Sequence, residues 1–383
     1  MVKKEVVVIA SVLKPVDDTR MYEKMARSLA STGKFCVNIL GFFSNTHSEH
    51  RDILFHPIFH FKRNHYRRLF ANLTFLKAVK KLSPGVIIVS TPELGPAVIL
   101  YRWFHPGVTL LYDVQENHLY NLRYHHGRHQ WLRKCMAKMV GQLEKLLAQK
   151  SHCLLVAEKG YFQEMPWLSA LPSFLLENKV LRPQAILKPK QLNSPPLSVV
   201  YTGTISAAYG IWDALRFVEQ LHQQLGKKLS FHLVGHVTQQ QTFQMLTQYL
   251  RQHPWMQATI SEQPVPHQVL INAIEQADVG MVPHQLLPSI VHCFPTRIWE
   301  YMAHGIPFFL QQHNPWVDYC RPWYCAIPID FSQQTWAMES ITYTLEQEDF
   351  YSRGIPETIY WDKKGFLSIM NDLSEKDHSE TTH

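Results

Sequence analysis

Short runs rich in Val, Ile and Leu alternate along the chain with longer stretches in which apolar residues return every three or four positions. Residues 6–13, 35–43, 86–89, 108–114 and 153–157 read as buried strands, and 19–32, 66–82 and 130–149 as helices. Buried runs separated by helices predict parallel βαβ units in a doubly wound sheet, because parallel strands need crossovers that cover both sheet faces. Between Asn178 and Leu197 the text turns polar and carries Pro183, Pro189, Pro195 and Pro196, the composition of a linker. The pattern then restarts, with strands at 197–201, 229–234, 279–282 and 306–310 and helices at 209–225 and 239–252. A last helical pattern covers 361–373. The expected architecture is α/β, with two Rossmann-like doubly wound domains, 1–178 and 197–360, joined by the linker 179–196. Two such halves predict a central cleft, with ligands at the carboxyl ends of the strands. Residues 376–383 are expected to form a disordered tail.

Composition narrows this picture. A chain of 383 residues, 46% hydrophobic and 18% charged, is globular and long enough for two or three cores. The apolar run at the start is brief and leads into Lys14, Pro15, Val16, Asp17 and Asp18 without a small-residue cleavage site, so it reads as a strand and not as a signal peptide. No apolar stretch approaches the roughly 20 residues needed to span a bilayer. The six cysteines form no C-x-x-C pair, which fits a reducing, cytoplasmic setting. His125, His126 and His129 lack a partnering carboxylate pattern and read as a solvated loop, not a metal site.

Net charge of +7 conceals an asymmetry: residues 1–190 carry 28 Lys and Arg against 13 Asp and Glu, and the remainder 10 against 18. Such a first half suits an anionic surface or acceptor. Cations concentrate at Lys62, Arg63, Arg67, Arg68, Lys77, Lys80 and Lys81, interleaved with Tyr66, Leu69, Phe70, Leu73 and Leu76. Such a helix suits acidic lipid headgroups, or equally water on one face and protein core on the other. No nucleic-acid-binding module is present, so nucleic acid is not an expected partner.

The densest chemistry lies in residues 294–310, FPTRIWEYMAHGIPFFL. Pro295 starts a helix, Glu300 sits a turn before the Gly305 stop, and a buried strand follows. The amides of such a helix start attract an anion, and one carboxylate further along can reach a hydroxyl pair attached to it. Three other segments sit where strand ends face the expected cleft. The first runs from Pro15 to Arg20, with Asp18 or Thr19 as helix cap and Arg20 able to hold a phosphate or a carboxylate. The second is Tyr112-Asp113-Val114-Gln115-Glu116-Asn117-His118, and the third Val200 to Ser206 followed by Tyr209-Gly210-Ile211. Glycine at a strand end lets backbone amides approach a diphosphate. No D-x-D, no G-x-G-x-x-G after a strand and no G-x-x-x-x-G-K-[ST] occurs, which argues against metal-dependent GT-A transferases, nicotinamide dehydrogenases and P-loop kinases.

The segment 294–310 resembles the donor site of family 4 glycosyltransferases of the GT-B fold, whose members often read P-T-K-x-x-E-Y-M-A-x-G-x-P. The four segments follow that family's order, and Tyr360-Trp361 is similar to its closing segment, from which a last helix, 361–375, crosses back onto the first domain. The resemblance implies a hexosyl transfer from a UDP- or GDP-sugar to a saccharide or lipid-linked hydroxyl, with retained configuration and without metal or other cofactor. Glu300 would orient the ribose. Pro295, Thr296, Arg297, Gly203, Thr204, Pro283 and His284 would hold the donor, and Gln115, Glu116, His118 and Arg20 would line the acceptor or reacting-sugar side. The chain also departs from the family. Gln115 stands where relatives carry a histidine, Thr204 and Tyr209 replace two usual cations, and His292 replaces a first glutamate. These departures motivate a second reading, a catalytically weakened sugar-nucleotide- or glycan-binding scaffold. A GT-B epimerase would need a set of catalytic carboxylates that the sequence does not offer.

Overall fold

The computed structural model describes residues 4–45, 50–61, 68, 70–119, 130–183 and 197–380. The chain divides into two compact units, Met1–Asn178 with Trp361–His383, and Lys179–Tyr360. The first is built on seven parallel strands: β1 (Glu5–Pro15), β2 (Phe35–Phe42), β3 (Ile53–Phe59), β4 (Val86–Val89), β5 (Thr109–Val114), β6 (Cys153–Val156) and β7 (Ser173–Leu175). Their order in the sheet is β3-β2-β1-β4-β5-β6-β7. The second carries β8 (Leu197–Ile205), β9 (Leu229–Val237), β10 (Met256–Ser261), β11 (Val279–Val282), β12 (Phe308–Gln311) and β13 (Ala326–Ile329), ordered β10-β9-β8-β11-β12-β13.

Both sheets reverse direction once, between β1 and β4 and between β8 and β11. At such a switch point the two crossover connections leave on opposite faces and open a crevice beyond the carboxyl ends of the strands. The central strands read as near-continuous apolar runs because helices cover both faces: all of β4, β5, β6, β11 and β12 is buried.

The hydrophobic pattern placed most elements within a few residues. Differences have local causes. β3 was not foreseen, since Pro57 interrupts an otherwise strand-like run, nor was the helix Gly95–Phe104, which is apolar nearly all round. The helix expected over 19–32 winds with π geometry from Thr19 to Ala26 before becoming α-helical over Arg27–Ala30. Asp18 is its cap, accepting from the amides of Arg20 at 3.0 Å and Met21 at 3.2 Å. The basic helix is described over Ala71–Leu82; Lys62, Arg63, Tyr66, Arg67 and Leu69 lie outside the described residues, as do His125, His126, His129, Pro189, Pro195 and Pro196. Arg68 does not belong to a free basic face, because it is ion-paired with Glu93.

The C-terminal helix, Lys363–Glu380, runs through most of the segment expected as a disordered tail. Trp361, Phe366 and Met370 are buried in the core of the first unit, and Trp361 Nε1 donates to Ser28 Oγ at 3.3 Å. Each such side chain contributes about 1.5–3 kcal/mol by burial, which ties the chain end to the unit that begins it.

Candidate functional site

In the second unit the elements converge at the β8/β11 switch point. β8 continues past the expected 197–201 to Ile205, so Gly203 and Thr204 lie on the strand end itself. Gly203 adopts φ +94°, and a Cβ there would stand 2.9 Å from Nε and Nη2 of Arg297. The missing side chain is what lets that guanidinium lie against the strand. Gly210, at φ +73°, is even more constrained, since its Cβ would fall 1.7 Å from the carbonyl oxygen of Pro283. Tyr209 and Gly210 close a tight turn onto Ser206 and Ala207, and Gln285 N donates to Ala208 O at 3.1 Å. The turn after β8 is thereby stitched to the segment after β11, bringing Pro283 and His284 beside Tyr209.

The helix Thr296–Ala303 begins one residue later than expected. Pro295 is its cap, with extended backbone and no side-chain bond to the first amides. The other end matches the glycine-stop reading: Gly305 at φ +63° places Ile306 N on Tyr301 O and Gly305 N on Met302 O, the paired bonds of a Schellman exit.

Arg297, in the first turn, is only 6% exposed. Its Nη2 donates to Thr204 O at 2.6 Å, and its guanidinium lies 4.6 Å from the ring centre of Tyr201 and 6.0 Å from that of Tyr209. Nη1 is buried without a hydrogen-bond partner, and so is Nδ1 of His284, which is also 6% exposed and lies 4.8 Å from Tyr209, ring centre to ring centre. Burial, and then the Arg297 charge, hold the His284 imidazole well below its ordinary pKa, so it is neutral at physiological pH. Buried polar atoms are paired in the great majority of proteins, so two orphans at one switch point mark a place for a polar ligand. An anion satisfies the arginine directly, and the helix amides add to the attraction.

Glu300 lies one turn along. Its side chain is 17% exposed, with Oε1 3.7 Å from Nε2 of His267. It is neither sealed in the core nor fully open. Tyr301 points inward instead, bonding Thr202 Oγ1 at 3.2 Å and packing where Gly280 leaves room.

The first unit's strand ends hold a second cluster. Arg20 is 3% exposed and each nitrogen of its guanidinium has a hydrogen-bond partner. Nε reaches both Asp113 oxygens at 3.0 and 3.1 Å, Nη2 reaches Oδ1 at 2.6 Å, and Nη1 donates to Leu176 O at 2.9 Å. Trp361 covers it at 5.5 Å. Of the two partners expected for Arg20, the structure gives it the carboxylate, and the partner is Asp113. Gln115 Nε2 donates to the same carboxylate at 2.6 Å, and the Gln115 backbone carbonyl accepts from Tyr161 OH at 2.9 Å. Glu116 and His118 are half-buried beside it, and Asn117 donates to Glu164 at 2.8 Å. Among the described residues, no group of three or more His, Cys, Asp or Glu is placed to hold a metal ion.

Sequence reasoning missed the Tyr201–Arg297–Tyr209 stack and the role of Asp113. Both pairings join residues about 90 positions apart, and no local spacing announces them. A groove of about 820 Å³ lined by Gln220, Gln223 and Trp336 lies elsewhere on the second unit and shares no residue with this site.

Two parallel sheets of seven and six strands define a GT-B-type fold. No protein-family model matches the chain, and no curated protein matches its sequence. Solved structures do. A sucrose-phosphate synthase from Thermosynechococcus elongatus superposes with a TM-score of 0.67 at 15% identity, covering 98% of this chain and 100% of that one. The catalytic domain of starch synthase IV from Arabidopsis thaliana, bound to ADP and acarbose, gives 0.63 at 11%, covering 98% and 99%. A UDP-forming trehalose-phosphate synthase from Burkholderia xenovorans gives 0.58 at 13%, covering 99% and 98%.

Proposed function

We propose that this protein transfers a hexosyl group from a nucleoside-diphosphate sugar to a hydroxyl of a saccharide or lipid-linked acceptor, in the cytoplasm and in the service of glycan or polysaccharide synthesis. The observation that carries the reading is the pair of orphaned buried atoms, Arg297 Nη1 and His284 Nδ1, beside a helix start at the β8/β11 switch point. The names of the structural neighbours support it, since they are synthases of sugar phosphates and starch, one holding a nucleoside diphosphate.

In this reading the diphosphate rests on the amides at Thr296 and Arg297. Gly203 and Thr204 let the guanidinium come close. Cleavage of the sugar–phosphate bond leaves charge on the diphosphate, and Arg297 supplies a cation where relatives place one beside the first glycine. Arg297 is held in advance by Thr204 O and the two tyrosines, so little reorganisation is needed as charge develops. His284, neutral, contributes one donor and one acceptor. Glu300 accepts from the ribose hydroxyls. Retention requires the acceptor oxygen to attack from the face that the diphosphate leaves, so that the departing phosphate oxygen takes the acceptor's proton. Gln115 and Glu116 would orient the acceptor. Arg20 acts through Asp113, fixing the carboxylate that positions Gln115. No step calls for a metal.

Thermal-shift measurement against UDP, GDP and ADP, followed by donor turnover, tests this. At least one nucleotide should raise the midpoint, and Glu300→Ala should lose both the shift and the turnover. Turnover that Glu300→Ala leaves intact overturns the donor assignment. The scaffold reading is favoured by one observation, the absence of cations at Thr204 and Tyr209. It predicts a nucleotide shift without turnover.

A further inference from the structure

We propose that the first unit docks on an anionic lipid bilayer through the edge of its sheet where β4, β5 and β6 begin. Every helix that feeds a parallel strand must end at the edge where that strand starts. The helices Ala71–Leu82, Gly95–Phe104 and Gln130–Lys150 feed β4, β5 and β6, which are neighbours in the sheet, and they pack side by side. Their carboxyl ends therefore share one rim.

That rim is unusual in two respects. Trp103 and Phe104, ending the middle helix, are 82% and 72% exposed, with rings stacked at 6.2 Å and 22°. Exposed aromatics of this size cost nothing singly, but an adjacent pair at an element end forms a protruding apolar wedge. The flanking helix ends contribute exposed Lys80, Lys81, Lys145 and Lys150, while no Asp or Glu occurs in residues 76–82, 99–109 or 145–152. Lysines at helix ends offset the helix dipole, which accounts for the cations alone. It does not account for aromatics set among them. Indole and lysine together are the chemistry of a membrane interface, with the ring at headgroup depth and the ammonium groups on acidic lipid.

The wedge is also held firmly. Arg102 Nε donates to Val108 O at 3.1 Å, Nη2 meets His152 Nε2 at 2.8 Å, and Nη1 bonds Lys150 O. One partly buried arginine thus pins the turn after Phe104 to the end of the neighbouring helix. The rim lies at the opposite end of β5 from Gln115 and Glu116, about 20 Å away at the rise of a strand. Docking there leaves that end of the sheet clear of lipid. No helix among the described residues is long and apolar enough to cross a membrane, so the contact is peripheral. The surface shares no residue with the donor site, so its failure leaves the transfer reading standing.

Co-sedimentation of the full chain with vesicles of phosphatidylcholine alone, or with 30% phosphatidylglycerol (about that fraction gives a strongly negative surface), tests the proposal. The wild type should pellet with the anionic vesicles at low salt. The Lys80→Gln, Lys81→Gln, Lys150→Gln triple variant should bind on the order of 100-fold more weakly. Trp103→Ser with Phe104→Ser should lose the part of binding that survives high salt. All these positions are exposed, so thermal melts should stay unchanged. Failure of the wild type to pellet, or pelleting that both variants retain, overturns the proposal. So does a lipid-free dimer that the Trp103→Ser, Phe104→Ser variant disperses, because the wedge would then face a second copy of the chain.

Discussion

Replacing Gly203 with Ala probes the proposed donor site without removing any functional group. Two costs follow from the geometry. Gly203 holds φ +94°, a conformation that costs an alanine about 1–3 kcal/mol. Its Cβ would also stand 2.9 Å from Arg297 Nε and Nη2, too close for the guanidinium to stay. Displacing that group breaks its charge-assisted bond to Thr204 O, a loss of about 1.5–3 kcal/mol. The sum, about 2.5–6 kcal/mol, lowers the melting midpoint by roughly 5–24 °C at 2–4 °C per kcal/mol. Gly354→Ala is the matched control, since φ is +77° there and nothing lies within 4 Å of the added carbon. It carries backbone strain alone. A double-mutant cycle between Gly203→Ala and Arg297→Met, read by urea denaturation, isolates the contact. The coupling should be about 2 kcal/mol, and Gly203→Ala should lose nucleotide-induced stabilisation that Gly354→Ala keeps. An additive cycle, within about 0.5 kcal/mol, would refute the claim that the bare backbone at 203 exists to seat Arg297.

Three other outcomes follow from the same structure. Glu144 is buried against Tyr112 OH at 2.8 Å, and burial raises its carboxyl to about 7. The folded state therefore binds the proton more tightly than the unfolded chain, and stability falls as pH rises between about 4.5 and 7. Glu144→Gln should gain up to about 3 kcal/mol at pH 8 and nothing at pH 4, and equal gains at both would contradict the assignment. Arg20→Met strands the buried Asp113 charge and should cost about 3–5 kcal/mol in chemical denaturation, much of it recovered on adding Asp113→Leu. Truncation before Trp361 removes three buried side chains from the core of the first unit and should reduce soluble yield and abolish cooperative melting, whereas truncation after Leu373 should not.

The two doubly wound halves were legible because parallel strands buried on both faces need unbroken apolar runs, and those runs stand out against helical periodicity, whereas the GT-B expectation came from the resemblance of residues 294–310. β4 and β11 were readable to the residue for that reason, while β3 was hidden by Pro57. The glycine stop at Gly305 was equally plain, since a left-handed exit is a local demand on one residue. Arg297 and Glu300 could be nominated from their place in a motif, but what they touch could not. The stacking of Arg297 between Tyr201 and Tyr209, and the capture of Arg20 by Asp113, depend on which strand ends the switch points bring together. Chain topology, not neighbouring residues, sets those encounters. The burial that keeps His284 neutral and Glu144 protonated near neutral pH is likewise a property of the assembled core, because desolvation arises from every element packed around a group.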